Sequence, residues 1–139
     1  MTVQVKYVNG MPLYRQEKDW LQYGFELSRA TMANWVIECT DKYLRVLYAF
    51  YHRLLLSRGF AMADESPIQV LKEEGREATA KSYMWLFRSG EDDTPPIVLY
   101  KYASTHSGNV AKEFLKGFNG YLISGDASFT KIISIFLYV

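Results

Sequence analysis

A chain of 139 residues that is 49% hydrophobic and 16% aromatic has enough apolar material for the core of one domain, or part of one, and is not a disordered polymer. Sixteen basic residues against 15 acidic ones leave a net charge of +1, so nucleic-acid binding cannot come from bulk electrostatics and must rest on local patches. The only cysteine, Cys39, excludes an internal disulfide, a Cys–Cys redox pair and a Cys-rich zinc site, and fits a reducing cytoplasm.

Residues 1–9 alternate polar and apolar side chains, without the continuous hydrophobic stretch of a secretory signal. Asn9-Gly10 marks a turn, and Pro12 suits the first position of a helix. A short helix is expected from about Leu13 to Tyr23, stopped by Gly24. Ser28 is a good N-cap for a long second helix. Met32, Trp35, Val36, Cys39, Tyr43, Leu44, Leu47, Phe50, Leu54 and Leu55 recur there at three- and four-residue steps, and Gly59 closes it.

Beyond Gly59 the pattern becomes strand-like. Phe60 to Leu71 is short, apolar and interrupted by Pro67; 82–87 and 97–102 are rich in aromatic and branched residues. The loop 90–96 separates the last two, a helix follows from Asn109 to Phe118, and Tyr121 to Ser124 is a further strand. The expected class is α+β: a helical connector, 1–58, then strand-strand-strand-helix-strand over 59–139. Three strands on short loops suggest an antiparallel meander, and the helix would return the chain to lay the fourth strand beside the first. That order is the opening half of a ribonuclease-H-like fold. The apolar ending 132–139 is far shorter than the roughly 20 residues a membrane span needs and reads as a buried terminal strand or as a cut or shifted reading frame.

Two apolar segments run into acids: Phe60-Ala61-Met62-Ala63 into Asp64, and Tyr121-Leu122-Ile123-Ser124 through Gly125 into Asp126. Two strands each delivering a carboxylate to one sheet edge is the arrangement that two-metal phosphodiester chemistry requires. The plainer readings are a cap or turn acid at Asp64 and ordinary Gly-Asp turn chemistry at Asp126. Glu65 is expected on the opposite face from Asp64, because side chains alternate along a strand. Residues 13–35 are either a helix-turn-helix, with Arg15, Lys18 and Arg29 on phosphates, or a plain helical hairpin; the balanced charge favours the hairpin. Cys39, His52 and His106 are too few and too scattered for a structural zinc site. The alternating Tyr83, Trp85, Tyr100 and Tyr102 could stack bases but are more simply core or sheet surface.

The segments 11–17, 27–35, 63–71 and 114–122 resemble, in order and spacing, the central region of the transposases of insertion sequence 66, over roughly Tyr7 to Leu122. The resemblance implies that Asp64 is the first and Asp126 the second acid of an Asp-Asp-Glu triad binding two Mg²⁺ ions. It also implies DNA strand cleavage and transfer at transposon ends, with hard Mg²⁺ held by carboxylate and phosphate oxygens. The chain departs from the family pattern at Ser66, where Thr is usual, at His106, where Arg is usual, and over 124–131, where the register shifts by about one residue. The third acid and the family's zinc-binding N-terminal region fall outside the similarity. The resulting expectation is a central piece of a transposase, inactive alone. The alternative is a non-enzymatic module that binds DNA, or joins full-length transposase as an inhibitor.

Overall fold

In the computed structural model, residues 2–70, 75–77, 79–90 and 93–124 are described, and the chain divides into two units, Met1–Ala49 and Phe50–Val139.

The first unit is helical. Its opening helix is α1, Thr2–Tyr7, in a segment where the sequence alone marks no element. The buried Gln16 donates from Nε2 to the carbonyls of Met11 (3.0 Å) and Thr2 (3.4 Å), tying α1 to the next helix. That helix, α2, spans Leu13–Gln22 behind Pro12. The chain leaves it through Gly24, whose φ of +79° is costly for any residue with a Cβ. Helix α3, Arg29–Cys39, starts on the expected cap: Ser28 Oγ accepts from Thr31 N at 3.2 Å. Met32 and Val36 form its buried stripe.

One feature of the long helix had no signature in the apolar periodicity. Between α3 and α4, Arg45–Leu56, lies a π-helical turn, Thr40–Leu44. The Thr40 hydroxyl donates to the Val36 carbonyl at 2.8 Å, which loosens the α-helical ladder at that point.

The second unit is built on a four-stranded mixed sheet in the order β3-β2-β1-β4, so the fold is α+β as expected. Strand β1 is Phe60–Gln69, β2 Lys81–Ser89, β3 Val98–Ala103 and β4 Tyr121–Ser124. The first three form the antiparallel meander. Helix α5, Gly108–Phe114, capped by Ser107 Oγ accepting from Asn109 N (3.3 Å), carries the chain back so that β4 pairs with β1 in parallel.

Packing explains the composition of each strand. Ala61 and Ala63 of β1, Trp85 and Phe87 of β2, Leu99 of β3 and Leu122 of β4 face one side of the sheet. Ala111, Phe114, Leu115 and Phe118, together with Leu55 of α4, cover it. The rings of Phe87 and Phe114 stack at 4.0 Å, in the core that Ala61 and Ala63, the latter the register partner of Phe87, also enter. The opposite face is open: Phe60, Met62, Val98, Tyr100, Tyr102, Tyr121 and Ile123 are all exposed.

Candidate functional site

Strand β1 does not end at its acid. It continues from Phe60 through Asp64 and Pro67 to Gln69, pairing with β2 throughout. Among the described residues the parallel pairing with β4 covers Phe60–Ala63, so no described strand calls on the N–H that Pro67 lacks on that side. Beyond it the described part of β1 has β2 alone as a neighbour, and an edge strand has a side on which no N–H is needed. Asp64 therefore sits in mid-strand, yet at the first position past the β1–β4 ladder.

Alternation settles its orientation. Phe60, Met62, Asp64 and Ser66 are exposed, whereas Ala61 and Ala63 are buried on the α5 side. Asp64 stands opposite Leu86 of β2, which in turn faces Tyr100 of β3. Its Oδ1 accepts from the Glu65 backbone N–H at 2.9 Å, and it forms no ion pair among the described residues. It is thus an exposed hard-oxygen donor on the open face, which it shares with aromatic and aliphatic side chains, with Ser66 and with the exposed Arg88 two positions from its partner Leu86.

Glu65 points the other way, as expected. Its Oε1 lies 2.6 Å from His106 Nε2, and the His106 ring leans on Tyr83 at 4.9 Å. This contact joins β1 to the loop before α5 across 41 positions, a separation that no local pattern could reveal. His52 is likewise engaged: its Nε2 is 2.7 Å from the Phe114 carbonyl, and its ring lies 4.3 Å from the Phe114 ring.

Asp126, the expected second acid, lies outside the described residues. Among the described residues no three of His, Cys, Asp and Glu gather into a group able to hold a metal. Asp64 by itself suits Mg²⁺, but a single carboxylate is not the donor set of a two-metal site, so no catalytic step can be drawn through the metal from these residues.

The expected phosphate contacts fare unequally. Arg29 is committed to Glu17: Nε–Oε2 is 2.7 Å, and the Arg29 backbone N–H donates to Glu17 Oε1 at 3.0 Å. This pair pins the start of α3 to α2 and holds the hairpin together. Arg15 is exposed, its Nε donating to Tyr14 Oη at 3.1 Å, and Lys18 is exposed as well. Tyr83 and Trp85 face the α5 side, Tyr100 and Tyr102 the open side; the Tyr102 hydroxyl donates to Ser82 Oγ at 2.9 Å.

Comparison with protein families decides the relationship. The family model described as transposase IS66 family matches residues 1–131. The chain belongs to the IS66 family of transposases. Two Sinorhizobium fredii (strain NBRC 101917 / NGR234) proteins resemble this IS66 chain. Uncharacterized protein y4qI is 30% identical over 134 residues, 91% of this chain and 24% of the relative. Uncharacterized protein y4jD is 29% identical over 121 residues, 84% of this chain and 23% of the relative. The IS66 chain thus spans about a quarter of the length of the curated relatives it matches. No solved structure matches it. No helix among the described residues is long and apolar enough to cross a membrane.

Proposed function

We propose that this chain carries the first catalytic carboxylate of a DNA-transposing enzyme, on the opening half of a ribonuclease-H-like domain. The observation that carries the reading is Asp64: an exposed carboxylate that forms no ion pair among the described residues, one position past the described β1–β4 pairing, in a chain of the IS66 family. Asp126 follows β4 by two residues and would supply the second acid. Asp64, together with Asp126, would hold Mg²⁺, which would supply Lewis-acid activation in phosphodiester chemistry. Glu65 has no part in holding the metal, because its side chain is on the other face and occupied by His106. Arg15 and Lys18 are the basic side chains of the hairpin left to meet DNA phosphates.

The chain alone is expected to be inactive, since Asp64 and Asp126 make up two of the three acids of the Asp-Asp-Glu triad that the resemblance implies. Two assays test this. Incubated with Mg²⁺ or Mn²⁺ and duplex DNA bearing IS66-type ends, the purified chain should neither nick nor join. Grafted in place of the matching segment of an active IS66 transposase, it should support transposition, which Asp64→Asn abolishes and Glu65→Gln leaves measurable. Cleavage by the isolated chain, or a graft indifferent to Asp64→Asn, would overturn the reading.

A specific observation favours a second role. The sheet face opposite α5 exposes Phe60 (48%), Tyr100 (60%), Tyr121 (64%) and Ile123 (54%). Several large aromatic and aliphatic side chains exposed on one sheet face suit an interaction surface, and a full-length transposase is the partner that family membership suggests. The isolated chain would then act as an inhibitor. Co-purification with an intact IS66 transposase, unaffected by Asp64→Asn and lost in Tyr100→Ser/Tyr121→Ser, is the expected result; no co-purification would remove this role.

A further inference from the structure

The helical unit holds a groove that the transposase reading does not use. It is about 500 Å³ in volume, and among its walls are Trp20, Phe25, Leu27 and Trp35. Trp20 and Phe25 meet edge to face, their ring centroids 5.9 Å apart and their planes at 89°, which makes a corner of two aromatic walls. Phe25 (61% exposed) and Trp35 (45%) remain open to solvent. A second cavity of about 220 Å³ adjoins it, sharing Thr2 and Trp20.

The charges around these cavities have one sign. Among the described residues, the only charged ones lining them are Glu26 in the first and Asp19 in the second. Neither carboxylate has an ion-pair partner among the described residues. The nearby cation Arg29 is spent on Glu17. Aromatic faces attract cations through the ring quadrupole, and a free carboxylate alongside adds to that attraction. The same acids repel phosphate, so this side of the hairpin is wrong for a nucleic-acid backbone.

We propose that the groove binds an arginine side chain presented by a protein segment. Arginine suits it better than lysine: the planar guanidinium is weakly hydrated, stacks on indole faces and can donate a fork of N–H groups to Glu26. The volume exceeds that of one guanidinium and leaves room for the arginine stem and a neighbouring side chain. The occupant is therefore a short arginine-bearing stretch of a partner protein. This inference is independent of Asp64 and its chemistry.

The test uses the whole chain and two peptides, acetyl-Ala-Arg-Ala-amide and its neutral isostere with citrulline in place of arginine. Tryptophan fluorescence and the indole N–H resonances of Trp20 and Trp35 report binding, and Trp85, buried in the other unit, is the internal control. The arginine peptide should shift the two indoles saturably, and the citrulline peptide should bind at least about tenfold more weakly. Glu26→Gln, an exposed change that leaves the fold intact, should weaken the arginine peptide by at least about threefold. Trp35→Leu, checked for helicity by circular dichroism, should abolish saturation. Equal binding of both peptides, no saturable shift, or indifference to Glu26→Gln would overturn the proposal. So would competition for the same indoles by a DNA duplex.

Discussion

Replacing Phe114 by alanine should destabilise the sheet unit more than any change on the opposite face of the sheet. Phe114 is only 5% exposed, its ring stacks on Phe87 at 4.0 Å, and its carbonyl receives His52. Lys101 Nζ lies 5.6 Å from the same ring. Truncating a buried phenylalanine costs about 3–5 kcal/mol, the lost transfer free energy plus the cavity left behind. The upper part of that range applies, because the stack on Phe87 and the Lys101 contact go with the ring. With a urea slope of about 2 kcal/mol per molar, the unfolding midpoint should fall by roughly 2 M. Because the chain has two units, the transition must be read from the sheet alone. A Trp20→Phe/Trp35→Phe background leaves Trp85 as the sole reporter, and Trp85 lies 6.2 Å from Phe87 in the same core. A loss under about 1 kcal/mol, the scale of a surface change, would refute the packing of α5 on the Ala61–Ala63 side. An equal loss in Tyr100→Ser would refute the inequality of the two faces.

Other expectations follow from single contacts. A Cβ on Gly120 would fall 2.4 Å from the Gly59 carbonyl oxygen and 2.8 Å from Phe118 Cζ. Gly120→Ala should therefore cost about 1–3 kcal/mol and weaken amide-exchange protection at Tyr121, whose N–H donates to that carbonyl at 2.9 Å. Ser28→Ala removes the α3 cap and should cost about 1 kcal/mol, seen as a lower melting temperature of the helical unit, with Ser28→Thr close to wild type. Glu38 titrates below its ordinary value, first because the Lys42 side chain donates to it and then because of that residue's charge. A depressed carboxyl stabilises the fold above its unfolded value, and that contribution fades as pH falls through the folded one. Lys42→Gln should raise the Glu38 midpoint in an NMR titration; an unmoved midpoint would remove Lys42 as the cause.

Much of this architecture was legible because its cues are local. Period-two alternation in 82–87 and 97–102, the cap at Ser28 and the apolar run at 121–124 each identify an element within a few residues. The opposition of Asp64 and Glu65 follows from strand geometry alone. What escaped was set by partners distant in sequence. Pro67 reads as an interruption of the strand, but β1 runs on to Gln69, paired with β2 throughout. Nothing local marks 2–7 as an element; Gln16 ties α1 to the next helix. Arg29 looks like a free phosphate contact until Glu17, 12 residues earlier, claims it. His106 and His52 find their partners 41 and 62 positions away. The π-helical turn at Thr40–Leu44 depends on one hydroxyl bond to Val36, which an apolar stripe cannot announce.

The claim at the centre of this account is that Asp64, and not its neighbour Glu65, is the carboxylate offered to a divalent metal. Mn²⁺ titration of the ¹⁵N-labelled chain tests it directly, since paramagnetic broadening detects weak binding and falls off steeply with distance. Broadening centred on the amides of 63–66 and 123–124, abolished by Asp64→Asn and preserved in Glu65→Gln, is the predicted result. Broadening centred elsewhere, or unchanged by Asp64→Asn, would contradict it.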